Sequence, residues 1–105
     1  MVVTSLPVDA LQVIAEPQRR RILGLVWDEE LAAGDIAGQF EITFGAVSQH
    51  LSVLRQAGFV DVRADGNRRL YRANKRALGP LRSVLENMWS ETLESLANAI
   101  EKEGR

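Results

Sequence analysis

Few residues in this 105-residue chain could carry chemistry, and their spacing argues against catalysis. There is no cysteine, which removes disulfides, thiolate metal sites and cysteine nucleophiles together and suits a reducing cytoplasm. The single histidine, His50, has no Ser, Cys or Asp at a triad-like spacing to form a nucleophile or base relay. It falls at the edge of an apolar helix face, which suggests a neutral packing or hydrogen-bonding role first and a phosphate contact second. Asp28-Glu29-Glu30 reads as an acidic loop without a metal or catalytic role. Glu91 and Glu94 are three apart, but carboxylates alone suit hard cations and lack the softer ligands that select transition metals. No metal, no cofactor and no enzymatic activity are therefore expected. What remains is hydrogen-bonding chemistry, concentrated in the run TFGAVSQHLSVLRQAGFV, residues 43–60. On a helix, Gly45, Gln49, Ser52 and Gln56 share one face, with Ser48 and Arg55 on its flank. That face has no acid and little bulk, so a polyanion can approach it closely.

The elements needed to position this face follow from periodicity. Val47, Leu51 and Leu54 recur at spacings of four and three, one apolar stripe of a 3.6-residue helix. Thr43 is suited to the N-cap. Gly58 stands where a left-handed C′ residue is wanted, with Phe59 placed to close over Leu54. A preceding helix, Ala33 to Phe40, buries Ile36, Ala37 and Phe40 and is joined through only Glu41-Ile42. Two helices so connected, the second with a bare polar face, make a helix-turn-helix over about 33–57, whose second member enters the DNA major groove. The pattern then turns to β. Val60 and Val62 lead to a turn drawn from Asp65-Gly66-Asn67, and Arg68 to Arg72 return. Either Asp65-Gly66 or Gly66-Asn67 can be the central pair, so register stays open. This hairpin, about 60–73, carries Arg63, Arg68, Arg69 and Arg72 and reads as a wing, with Arg68 and Arg69 the leading candidates for phosphate or minor-groove contact.

Two helices come first: one from Pro7 with Val8, Leu11 and Ile14 as its apolar side, and one from Pro17 through Val26 with Ile22, Leu23 and Val26 inward. Arg19, Arg20 and Arg21 near its start read as a solvated turn, or as a source of one phosphate contact. The last segment, about 80–102, repeats apolar residues at threes and fours for about six turns. No other segment is left to cover that surface in one copy, so a C₂ dimer is expected. Its interface is assigned to Leu11, Leu81, Leu85, Met88, Trp89, Thr92 and Leu96; the competing arrangement folds this helix back on the domain's own core. Charge is unevenly divided: residues 1–42 hold 3 basic against 7 acidic side chains, residues 43–76 hold 7 against 2, and residues 77–105 hold 3 against 5. A basic segment in an otherwise acidic protein is the footprint of a nucleic-acid face. The length fits one domain, and with no signal peptide and no apolar run near 18 residues a cytosolic location is expected.

The runs EPQRRRILGLV, AVSQHLSVLRQAGFV and GNRRLYRANKRAL together resemble the ArsR/SmtB family of dimeric winged helix-turn-helix repressors, in the right order over nearly the whole chain. The final helix, with GPLRSVLENMWSETL, is most similar to short members that carry a tryptophan there and lack metal ligands. The resemblance implies a mainly α fold with a small β-hairpin, in the order α-α-α-α-β-β-α. It also implies a homodimer on a roughly palindromic operator in double-stranded DNA, usually repressing transcription. Ser48 and Gln49 match positions that face DNA in the family, and Gln pairs bidentately with adenine. Three cap positions depart from the pattern: Glu16 for Asp, Ala32 for Ser or Thr, and Glu41 for a Gly held left-handed. Poor caps and a left-handed non-glycine would each cost about 1 kcal/mol. The first turn departs most, with Phe44 and Gly45 where Gln or Arg and then Pro, Ser or Thr are usual. Phe44 either tucks back against the third helix or touches a thymine methyl; Gly45 lets the helix start sit close to a phosphate or base edge.

Two functions follow. One is a sequence-specific DNA-binding regulator, with phosphate contacts from arginines and base choice from Ser48, Gln49 and Phe44. The other is a dimeric small-ligand or protein-interaction module that keeps the winged fold, supported by the chance of a cavity near Met88 and Trp89. The effector, whether apolar ligand, protein or concentration alone, is left open.

Overall fold

Capping and backbone rules set the element boundaries. In the computed structural model, which describes residues 8–91, the chain runs α1 (Val8–Ala15), α2 (Pro17–Leu25), β1 (Leu31–Ala32), α3 (Ala33–Ala37), α4 (Phe44–Gln56), β2 (Val60–Asp65), β3 (Arg68–Ala73) and α5 (Lys75–Leu78). A further helix, α6, occupies residues 81–91. Pro7, the Val8 side chain, Thr92, Glu94 and Leu96 lie outside the described residues, so the assignments made for them have no structural counterpart here. The mainly helical winged order is as expected, with two additions. The wing is a three-stranded antiparallel sheet, order β1-β3-β2, and a single-turn helix α5 follows it. At two residues β1 is too short to show a period; pairing of Leu31 with Tyr71 and Ala32 with Leu70 creates it.

The expected cap deficits are largely absent. Glu16 Oε1 accepts from the Gln18 amide at 2.7 Å, so the longer carboxylate does the work of an aspartate, with Pro17 at the helix start. Ala32 offers no side-chain cap, but Asp35 accepts from the Ala32 amide at 3.4 Å. Among the described residues only glycines have positive φ, so Glu41 is not held left-handed and the strain assigned to it does not exist. Helix α3 ends at Ala37, not Phe40, because the chain tightens into a turn in which the amides of Gln39 and Phe40 donate to the carbonyls of Ile36 and Ala37.

One core joins these elements. Ile22, Leu23 and Val26 of the α2 region, Ile36, Val47, Leu54, Leu78 and Leu85 are all 0% exposed. Each such Leu or Ile contributes about 1.5–3 kcal/mol by leaving water. Leu81 and Leu85, expected at a dimer interface, are 6% and 0% exposed and fill the protomer's own core. Trp89, assigned to the same interface, packs edge-on against Trp27 with ring centroids 4.8 Å apart and lies over Gly24. Helix α6 has two apolar rows, and only the outer one, Val84 and Met88, is exposed. Leu11 of α1 is also exposed, whereas Ala10, Val13 and Ile14 form the buried side of that helix.

Candidate nucleic-acid interface

Helix α4 is held at both ends and along one side. Thr43 Oγ1 accepts from the Ala46 amide at 3.1 Å. At the other end Gly58 has φ +83°, the Gly58 amide donates to the Arg55 carbonyl and the Phe59 amide to the Leu54 carbonyl, both at 2.9 Å. That pair of bonds is a Schellman end, and Phe59 and Leu54 are both buried in the one core. A Cβ on Gly58 would have open space, so the glycine answers to backbone conformation alone. The outer face carries Phe44, Gly45, Ser48, Gln49, Ser52, Arg55 and Gln56, all exposed, and no acid stands in the first turn. The structure thus brings the expected base-facing residues onto one accessible surface.

Phe44 does not tuck against α3. Phe40 and Ile42 pack on the core, while Phe44 is 58% exposed and outside it. Gly45 is free of crowding: a Cβ there would meet only Thr43 Oγ1, at 3.9 Å.

The wing divides its arginines. Gly66-Asn67 is the central pair of the turn, with Asp65 opposite Arg68 and Gly66 at φ +64°, which resolves the register. Positive φ at the first central residue alone is the pattern of a type II′ hairpin. Arg63 grips Glu30 through two hydrogen bonds, of 2.7 and 3.0 Å, and Arg68 pairs with Asp35 at 3.0 Å. Lys75 pairs with Asp28 at 2.7 Å and lies over the Trp27 ring. These bonds hold the Glu30 and Asp28 carboxyls below their ordinary values and raise the Arg63 guanidinium. The acidic loop, read from sequence as idle, is therefore an anchor for the basic segment. Neither Asp28 and Glu30 nor Asp35 carried a local signal for this, since their partners lie 33 to 47 residues away. Among the described residues Arg69, Arg72, Arg55 and Arg76 take part in no ion pair. Arg69 lines the notch of about 740 Å³ between the wing and the start of α3, which the Arg68 to Asp35 pair bridges.

The Arg19-Arg20-Arg21 run is not a solvated turn, because all three guanidiniums donate to backbone carbonyls. The four carbonyls that end α1 need donors. Arg19 donates to the Val13 and Gln12 carbonyls, and Arg20 to those of Ile14 and Ala15. Two cations at a helix C-terminus also oppose its dipole. Arg21 donates to the Gln39 carbonyl and stacks on Phe40 at 4.5 Å. His50 Nδ1 lies 3.4 Å from Arg19 Nη1. A guanidinium only donates, so in this contact Arg19 is the donor. Among the described residues no three His, Cys, Asp or Glu side chains gather as a metal site would require, and no helix is long and apolar enough to cross a membrane.

Comparison with known proteins agrees with this geometry. The family described as "Bacterial regulatory protein, arsR family" matches residues 16–62. The chain is 37% identical over 98 residues to the HTH-type transcriptional regulator Rv2034 of Mycobacterium tuberculosis, covering 93% of this chain and 92% of that protein. It is 34% identical to the transcriptional repressor SdpR of Bacillus subtilis over 70 residues, 67% of this chain and 78% of that one. The homodimeric winged helix-turn-helix DNA-binding domain of Mb0332 from Mycobacterium bovis superposes with a TM-score of 0.65 at 25% identity, covering 87% of this chain and 92% of that one. With an exposed polar face on α4, a basic wing beside it and a relative matched nearly end to end, the chain belongs to the arsR family of bacterial regulatory proteins and is a DNA-binding regulator of transcription, not an enzyme.

Proposed function

We propose that the protein works as a cytoplasmic homodimer that represses transcription by occupying a palindromic operator, without a metal sensor. The observation that carries this reading is the outer face of α4: Gly45, Ser48, Gln49, Ser52 and Arg55 stand exposed on a helix fixed by its caps and by three buried residues. Such a surface presents side chains to base edges without having to order itself on binding. Leu11, Val84 and Met88 supply the apolar surface for a second copy, which would set two recognition helices one DNA turn apart. In this reading Gln49 and Ser48 choose bases, while Arg69 and Arg55 contact phosphates and Arg68 positions the wing through Asp35. The small-ligand alternative relied on space beside Met88 and Trp89, where the Trp89 ring packs against Trp27 at 4.8 Å between centroids.

The test is a gel-shift titration with DNA from upstream of the protein's own gene at two salt concentrations, followed by selection from a random duplex pool. A specific, salt-dependent shift is expected. Gln49→Ala should relax preference at one base pair per half-site, where a bidentate contact discriminates by about 1–3 kcal/mol. An unchanged operator preference in Gln49→Ala would remove that residue from the code.

A further inference from the structure

The first turn of α4 contains two residues that the protomer's own packing does not explain. Phe44 leaves 58% of its surface in water although it stands two residues from Ile42, which packs on the core. Gly45 occupies a helical position with negative φ and room for a side chain, its Cβ meeting nothing nearer than 3.9 Å. Glycine in a helix costs up to about 1 kcal/mol relative to alanine, and neither turn geometry nor crowding accounts for it here. An exposed ring beside a bare backbone is the arrangement for something that approaches from outside.

Resting on the DNA-reading function above, we propose that Phe44 is a specificity residue that recognises the C5-methyl group of a pyrimidine in the major groove. The chemistry narrows the choice. A phenyl ring offers no hydrogen-bond donor or acceptor in its plane, so it cannot pair with the polar atoms of a base edge. The one apolar group that an unmodified major groove presents is the methyl of thymine. The N-terminal residues of a recognition helix are those that reach base edges, and Phe44 is the first residue of α4. On the helix it sits four residues before Ser48, so the methyl it covers lies next to the base pair read by Ser48 and Gln49. Gly45 keeps the neighbouring position bare, so that the backbone does not hold the ring away from the groove. 5-Methylcytosine carries the same methyl at the same place, and the protein should therefore distinguish methylated from unmethylated cytosine there.

The experiment uses the full chain and the operator obtained by pool selection. Each thymine of the half-site is replaced in turn by deoxyuridine, which removes only the methyl, and binding is followed by fluorescence anisotropy. One position per half-site should weaken binding about 4-fold, and both half-sites together about 15-fold, the effect of one buried methyl each. Phe44→Ala, whose side chain lies outside the core, should bind the two operators equally, with an unchanged thermal melt. With cytosine at that position, 5-methylation should restore affinity by the same factor in the wild type and not in Phe44→Ala. An operator that tolerates deoxyuridine at every thymine, or a Phe44→Ala protein that keeps the discrimination, overturns the proposal while leaving the DNA-reading function intact. A pool that yields no enriched sequence overturns both.

Discussion

Helix α4 leads directly into the wing, yet the two are held in place by different forces. The helix is placed by apolar contact, with Val47, Leu51 and Leu54 buried and both ends satisfied by short hydrogen bonds. The wing is tied at its base by backbone bonds from Ala73 to Val26 and from Asn74 to Phe59, and farther out by exposed ion pairs to Glu30 and Asp35. Exposed pairs are weak and screened by salt. A helix placed by packing beside an arm tethered by ion pairs means that the two respond to different perturbations.

The largest effect expected from breaking this contrast is on the helix side. Leu51→Ala removes a side chain that is 1% exposed and should destabilise the fold by about 2–5 kcal/mol in urea denaturation, with loss of binding at every DNA sequence. A cost below about 1 kcal/mol would mean that packing does not place α4. Next in size is the division among the wing arginines. Arg69→Ala should weaken binding uniformly across sequences and flatten the salt dependence by about one unit per protomer. Arg68→Ala should change that slope much less, since its guanidinium already pairs with Asp35. Equal slopes for the two variants would show that Arg68 leaves Asp35 for the phosphate. The smallest effect is on pH. The Glu30 carboxyl is held below its ordinary 4.5 by its hydrogen bonds with Arg63. A lowered folded-state value stabilises above the unfolded value and is lost as pH falls through the folded one, so the tether should weaken only below about 4.5. Melting followed from pH 6 downward should show a small acid-side fall in the wild type that is reduced in Glu30→Gln.

Much of the helix side was legible before folding. Thr43, the Val47-Leu51-Leu54 stripe, Gly58 and Phe59 act within one segment, and near-neighbour rules govern caps and periodicity. The same locality explains why Glu16 was undervalued as a cap only in reach, not in kind. The wing was legible as a hairpin with arginines, but not in which of them are committed. Opposite charges 33 residues apart leave no mark on local pattern.

The sequence by itself determined the recognition helix, its exposed polar face and the order of elements, because each depends on spacing within a few turns. Tertiary structure alone decided four things. It paired Leu31-Ala32 into the sheet, turned Arg19 and Arg20 onto the end of α1, and divided the apolar rows of α6 between core and surface. It also left Phe44 in solvent, where the sequence allowed either packing against α3 or an outward contact. Each of these depends on which surface arrives opposite a residue, and that is set by the packing of distant segments rather than by any residue's neighbours in the chain.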